Sequence, residues 1–293
     1  MTYLSFLLLF LGLPLAALLA LMAARRQLPT RRVLMAVGVH ILLALVYTTP
    51  WDNYLVATGV WAYARARVLG VTLGWVPLEE YGFFVLQTLL TGLCAALLTT
   101  GWPASFVTRS RLPGWLKPAA VIGMGGLWAL AVWMLAAGWK PGTYLGLELA
   151  WALPPIALQV ALGADELWSH RRAVLTGLLP ITLYLCAADA LAIRAGVWHI
   201  SEAQSLRLFL GGLPIEEAVF FLLTNTLVVF GVTLLLAPPR NITLFLFRWQ
   251  WWQWWQNPAK SPQVVAGEIR LHSVEGDEPA LTGSDGVARL ASK

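Results

Sequence analysis

Seven stretches of this chain are apolar over nearly the length needed to cross a membrane, and that feature dictates most of what the chain can become. A hydrocarbon core of about 30 Å takes about 20 helical residues. The stretches fall near residues 3–23, 33–51, 76–99, 116–138, 143–163, 173–193 and 213–237. Within hydrocarbon each backbone amide and carbonyl must be satisfied inside its own segment, so such runs fold as helices. Composition agrees: 58% of the 293 residues are hydrophobic and 12% are charged, against about 25% charged in soluble domains. A mean hydropathy of +0.68 excludes a soluble globular enzyme and a disordered chain. The expected fold class is an all-α integral membrane protein of about seven transmembrane helices.

The first stretch lacks a basic segment ahead of it and its positive residues follow it, so it reads as a span and not as a signal peptide. Loop cations set the sidedness. Arg25, Arg26, Arg31, Arg32, Arg109, Arg111, Lys117, Arg171 and Arg172 fall on one side; Arg65, Arg67, Lys140, Arg194 and Arg207 fall on the other. The richer side is read as cytoplasmic, which puts the N-terminus outside and the C-terminus inside a cell membrane. The net charge of +5 is therefore a topology signal, and no nucleic-acid partner is expected. The 16 tryptophans suit the membrane–water interfaces. Cys94 and Cys186 lie inside apolar runs and read as core fillers. Residues 238–256 hold a Trp/Gln cluster expected to lie at the cytoplasmic surface, and residues 257–293 read as a disordered tail.

Two segments repeat at a fixed spacing of 137 residues. Tyr47, Asp52, Gly59-Val60-Trp61, Pro77-Leu78-Glu79-Glu80 and Phe83-Phe84 correspond to Tyr184, Asp189, Gly196-Val197-Trp198, Pro214-Ile215-Glu216-Glu217 and Phe220-Phe221. Upstream, Pro14 and Arg31-Arg32 match Pro154 and Arg171-Arg172 at a spacing of 140. Residues 1–100 and 143–237 therefore read as two three-helix repeats, joined by a linker with one helix over 101–142. Four crossings separate equivalent helices, so the repeats are parallel and can face a shared interior at one depth.

Ten acidic residues precede the tail, and six of them belong to the duplicated motif: Asp52, Glu79, Glu80, Asp189, Glu216 and Glu217. All six fall at the outer ends of their spans, with Glu148 at similar depth. Pro followed by Glu is a common helix start. Two copies, each with a matched Asp ahead, point instead to function, because carboxylates at membrane depth are costly. Adjacent residues on a helix diverge by about 100°, so one Glu of each pair is expected to face a cavity and the other to support it. Phe83, Phe84, Phe220 and Phe221 continue the same stripes and are read either as packing or, with Trp61 and Trp198, as aromatic faces for a cation. Gln87, Thr88, Thr224 and Asn225 follow one turn later and read as hydrogen bonds between helices, with Asn225 also a support residue.

Burial disfavours the charged form of a carboxyl group, and neighbouring carboxyls titrate together. Such a site can hold one acid protonated beside one ionised, protonate a nonpolar substrate, stabilise the cation and remove a proton. This needs no cofactor. No GxGxxG, P-loop or HExxH is present, and the four histidines are scattered, so no metal site is expected.

The pattern YTTPWDNYLVATGVW followed by VPLEEYGFF, repeated as DALAIRAGVWH followed by LPIEEAVFF, resembles the small integral-membrane carotenoid cyclases. The resemblance covers roughly residues 1–237 and is to the members whose two halves are fused in one chain. It implies conversion of the linear ends of lycopene to β-rings, giving β-carotene through γ-carotene by proton addition, ring closure and loss of a different proton. It also implies a fold similar to membrane prenyltransferases of the UbiA type. By motif match it assigns acid–base work to Glu79, Glu80, Glu216 and Glu217, with Asp52 and Asp189 in support. The implied partners are lycopene or a similar polyene, the lipid bilayer and other carotenoid-pathway enzymes. Related cyclases act on C50 carotenoids. The second copy has Ala190-Leu191 where the first has Asn53-Tyr54, which would make the halves unequal.

Two other readings stand beside it. A prenyltransferase would need clustered aspartates for Mg²⁺ and a diphosphate, whereas Asp52 and Asp189 stand alone in sequence. A proton-coupled transporter would suit repeats and membrane acids, but parallel repeats and acids near one surface suit it less.

Overall fold

The computed structural model describes residues 1–100 and 112–237; the rest of the linker, the Trp-rich segment and the tail lie outside the described residues. Seven helices are long and apolar enough to cross a membrane: α1 Tyr3–Ala24, α2 Arg31–Ala57, α3 Leu78–Thr99, α4 Leu116–Ala136, α5 Lys140–Ser169, α6 Arg171–Arg194 and α7 Ile215–Leu236. Helices α3 and α7 form the centre, with 56% of each most apolar window buried, against 6% in α4. Helix α4 packs on α5 and turns its leucines outward, as suits a helix surrounded by lipid.

Two helices run further than the apolar pattern predicts. Helix α2 reaches Ala57 instead of residue 51, and α5 resumes beyond a kink at Gly163 and reaches Ser169 instead of residue 163. The apolar pattern stops at Asp52 in the first and near Asp165-Glu166 in the second, where the backbone goes on. A proline inside a helix has no N–H to give to the carbonyl four residues back. Here a wider π-type turn precedes the proline twice: Leu7–Gly12 comes before Pro14, and Ala44–Thr48 comes before Pro50. The freed carbonyls find aromatic donors on other helices. Pro154 frees the Ala150 carbonyl, which accepts from Trp128 Nε1 on α4 at 3.1 Å. Pro155 frees the Trp151 carbonyl, which accepts from Tyr47 Oη on α2 at 2.8 Å. Pro14 frees the Phe10 carbonyl, which accepts from Tyr184 Oη on α6 at 2.9 Å. Each helix thus continues through its proline and is tied to a neighbour at that level.

Helices α2 and α6 end the same way. The amide of Gly59 donates to Val56 at 3.1 Å and that of Val60 to Leu55 at 2.9 Å; Gly196 donates to Ile193 at 2.9 Å and Val197 to Ala192 at 3.1 Å. These are the paired bonds of a helix end closed by a left-handed residue. Gly59 has φ +71° and Gly196 φ +67°. Val60 and Val197 are fully buried against the last turns they close. The Gly-Val-Trp triplet is a stop signal that aims its Trp inward.

Beyond each stop the chain forms a short strand. Strand β1 (Trp61–Tyr63) is followed by a hairpin of β2 (Thr72–Leu73) and β3 (Val76–Pro77) that leads into α3. Strand β4 (Trp198–Ile200) is followed by a hairpin of β5 (Phe209–Leu210) and β6 (Leu213–Pro214) that leads into α7. Strands β1 and β4 pair antiparallel, with Trp61 opposite Ile200, Ala62 opposite His199 and Tyr63 opposite Trp198. Side chains alternate along a strand, so Trp61, Tyr63 and Trp198 face the helices while Ala62 and His199 are exposed.

A Cβ in the left-handed region costs about 1–2 kcal/mol. Gly59→Ala and Gly196→Ala are therefore each expected to lower stability by about that amount, read as a lower midpoint of thermal unfolding in detergent.

Candidate functional site

The hairpins deliver two Glu pairs to the first turns of α3 and α7. One member of each pair turns back to the incoming loop. Glu79 Oε1 accepts from the Leu69 amide at 2.5 Å, and Glu216 Oε1 accepts from the Leu206 amide at 2.6 Å. The other member turns into the protein. Glu80 and Glu217 face one small chamber of about 10 Å³. Trp61, Tyr63, Phe83, Asp189, Trp198 and the Phe220–Phe221 pair complete its wall, with Tyr3.

The chamber acids are held by neutral donors. Glu80 Oε2 accepts from Tyr3 Oη at 2.5 Å and Tyr63 Oη at 2.8 Å. Glu217 Oε1 accepts from Tyr144 Oη at 2.9 Å and Trp61 Nε1 at 3.0 Å. Asp189 Oδ1 accepts from Trp198 Nε1 at 2.9 Å, and its other oxygen is buried without a partner. Trp61 reaches Glu217 from the first half of the chain, and it does so because β1 lies against β4. Three carboxyl groups thus surround one water-poor space, with no cation among their recorded partners.

The rings around them form a continuous apolar wall. Phe83 lies 6.2 Å from Phe221, Phe221 lies 5.3 Å from Phe220, and Phe220 lies 5.8 Å from Trp61 at a steep angle. Trp198 packs against Tyr3 at 5.0 Å and Phe6 at 5.1 Å. Such rings present negative faces to a cation as well as bulk to a hydrocarbon.

The remaining residues singled out in the sequence are placed differently. Asp52 is buried within electrostatic reach of Glu80, but it is off the chamber wall and neither carboxyl oxygen has a partner. Phe84 lines a second cavity next to the chamber. Asn225 is buried two turns beyond Glu217 and outside the chamber. Its Oδ1 accepts from Thr91 Oγ1 at 2.9 Å and Gln87 Nε2 at 3.3 Å, and its Nδ2 donates to Thr182 Oγ1 at 3.1 Å. Gln87 also donates to Thr224 at 3.0 Å. These bonds join α3, α6 and α7 across their interfaces. Among the described residues no group of three or more His, Cys, Asp or Glu is placed to hold a metal ion.

Sequence reasoning missed Tyr3, Tyr63 and Tyr144. Tyr3 and Tyr144 open α1 and α5 at nearly the repeat spacing, a signal that was there to read. Tyr63 is two residues from Trp61, so the period of a strand would have placed both on one face. Glu148 adds a fourth buried acid. Both of its oxygens lack partners, and it lies within electrostatic reach of Glu217 and Glu216.

Tyr63 lies outside the helices. Burial first, and then the charges of Asp52 and Glu80, hold its phenol well above the ordinary 10.0. It thus keeps its proton and goes on donating to Glu80 through the whole neutral range. In an ultraviolet titration of the phenol band, the difference between wild type and Tyr63→Phe is expected to show one phenol with a midpoint above 10.0.

Comparison with known proteins shows the family to which the chain is similar. A family model described as lycopene cyclase matches residues 1–98 and 143–235, leaving out the segment that contains α4. The lycopene beta-cyclase of Halobacterium salinarum is 42% identical over 235 residues, covering 80% of this chain and 95% of that protein. The bifunctional lycopene cyclase/phytoene synthase of Leptosphaeria maculans is 35% identical over 301 residues, and that of Podospora anserina 37% over 289 residues. Each alignment takes in 96% of this chain, but only 49% and 48% of those fungal proteins, so the chain spans about half their length. No solved structure matches the chain.

Proposed function

This chain belongs to the lycopene cyclase family, and on that premise we propose that it is a lycopene β-cyclase whose acid–base centre is the chamber between Glu80 and Glu217. The observation that supports this most directly is that these two carboxyl groups, one from each half of the chain, face a single aromatic-walled space. Ring closure on a linear polyene is a net isomerisation. One carboxyl gives its proton to the terminal double bond, leaving a cation. A nearby double bond closes onto that cation and makes the ring, moving the positive charge along the chain. A carboxylate then takes a different proton, and the double bond is restored. Atoms and charge balance without a redox partner. Closure at both ends converts lycopene to β-carotene by way of γ-carotene.

Each part of the chamber has a place in that sequence. Tyr3 and Tyr63 orient Glu80, while Tyr144 and Trp61 orient Glu217. The walls of Phe83, Phe220, Phe221 and Trp61 surround the cation with ring faces and keep out water that would trap it as an alcohol. Asp189, reached by the Trp198 indole, lies where it can pass a proton between the two halves. Glu79 and Glu216 act at one remove, as positioning residues that fix the loops above the chamber.

The same reading takes residues 1–100 and 143–237 as two parallel copies of one unit. Bonds at matching positions support it: Glu79 to Leu69 and Glu216 to Leu206 stand 137 residues apart in both donor and acceptor. It also places the chain as a multi-pass protein of the cell membrane, N-terminus outside and C-terminus cytoplasmic. There it works beside the enzymes that supply a linear carotenoid.

In a bacterial host that makes lycopene, the wild-type chain is expected to yield β-carotene, measured by chromatography of extracted pigment. Positioned proton transfer contributes about 10²–10⁴-fold to rate. Glu80→Gln and Glu217→Gln are therefore each expected to cut conversion by about 100-fold or more, while Glu79→Gln and Glu216→Gln lose less. Full conversion by both Glu80→Gln and Glu217→Gln would remove the chamber from the mechanism.

A further inference from the structure

The acid chamber, at about 10 Å³, holds little more than one water-sized space. It admits the end of a polyene only when its aromatic wall gives way at Phe220, and it cannot take the long conjugated arm behind that end. A second cavity of about 250 Å³ lies next to it, and Phe220 belongs to the wall of both. This cavity runs between α2, α3, α5 and α7 and is overwhelmingly apolar, with Ala44, Phe84, Trp151 and Leu227 among its lining. Its rim includes Leu43 and Tyr47, which are 55% and 45% exposed on the outer face of α2. Leu43 sits near the middle of that helix, so the rim opens at the depth of hydrocarbon and not into water.

Two positions related to this cavity by the internal spacing are packed into the core. Leu185 stands 137 residues after Thr48 and Leu11 stands 140 before Trp151; both are buried in the core, at 1% and 0% exposure. The open side owes its shape to α5. Pro155 frees the Trp151 carbonyl, Tyr47 takes it, and the Trp151 ring stacks at 4.7 Å on Trp51. Trp51 in turn lies flat against Phe220 at 6.0 Å. One stack of rings therefore runs from the cavity rim to the chamber wall.

We infer that this lateral cavity holds the linear arm of the polyene substrate, and that the Phe220 ring is the threshold over which its end reaches Glu80 and Glu217. The inference rests on the cyclase reading above and deepens it. A fully apolar rod arrives from the bilayer without passing through water. Among the described residues the cavity between α2, α3, α5 and α7 adjoins the chamber, whereas Leu11 and Leu185 pack the related positions, so one end of the polyene is served at a time.

The test fills the cavity from two sides. Ala44→Trp on α2 and Leu227→Trp on α7 each place an indole inside it, while Leu183→Trp adds the same bulk on the outer face of α6, where Leu183 is 70% exposed. Conversion of lycopene by purified protein in liposomes is expected to show a KM raised by roughly tenfold or more in the two filled variants. Leu183→Trp is expected to match wild type. Wild-type kinetics in both filled variants would overturn the inference. A second measurement covers poor folding of those variants. In a chain with Cys94→Ala, Cys186→Ala and Ala44→Cys, lycopene is expected to slow labelling by a lipid-soluble maleimide by several-fold. Equal labelling with and without lycopene would mean that lipid, and not the polyene, fills the cavity, and would overturn it too. Should the wild type leave lycopene unchanged, the cyclase reading would fail, while protection from labelling would still report on the cavity.

Discussion

The structure depends on keeping carboxyl groups inside the membrane end of a helical bundle without giving them cations. Glu80, Glu217 and Asp189 are met by phenol and indole donors, and among the described residues no lysine or arginine pairs with them. A salt bridge would hold each acid permanently ionised and remove it from proton chemistry. Neutral donors orient the oxygens and leave the proton inventory open. That requirement accounts for the placement of Tyr3 and Tyr144 at the starts of two helices, and for the strand pair that carries Trp61 and Tyr63 across from the opposite side.

Aromatic side chains with one polar atom do the same work elsewhere in the bundle. Where Pro14, Pro154 and Pro155 free a backbone carbonyl, the carbonyl is taken by Tyr184, Trp128 or Tyr47. In lipid no water could take the freed carbonyl, and each unsatisfied group costs several kcal/mol (roughly 2–7 in apolar surroundings). These bonds tie α1 to α6, α4 to α5 and α2 to α5. Pro155 also lines the lateral cavity between α2, α3, α5 and α7, and at corresponding positions of the bundle Leu11 and Leu185 are buried in the core.

Much of this was legible in the residues. Seven apolar stretches became seven helices, because length and hydropathy leave a lipid-spanning segment little else to be. The divergence of adjacent Glu residues was also readable, since helical geometry alone sends Glu79 and Glu80 to different neighbours. Helix ends were less so: the apolar stretches stop at Asp52 and near Asp165, yet α2 and α5 run on past these acids to Ala57 and Ser169. The duplicated Tyr47 and Tyr184 were visible as a pair, yet their purpose lay in prolines more than a hundred residues away. The tyrosines on Glu80 and Glu217 were hidden for the same reason, since strand pairing and helix packing bring them there from remote parts of the chain. Asn225 was legible as a hydrogen-bonding residue between helices, and its bonds to Gln87, Thr91 and Thr182 are of that kind.

The pairing of β1 with β4 is centred on Ala62 and His199, with three residues on each side and no slack. In such a ribbon a slip of one position sends every side chain to the opposite face. Inserting or deleting a single residue before Trp61 would thus swing that indole out to solvent and present Ala62 to the acids, and the same change before Trp198 would do so with His199. Helices in a bilayer can drift, tilt and exchange leucines with small consequence; this six-residue clasp cannot. The strictest spacing of the molecule therefore lies in segments that resemble ordinary connecting loops.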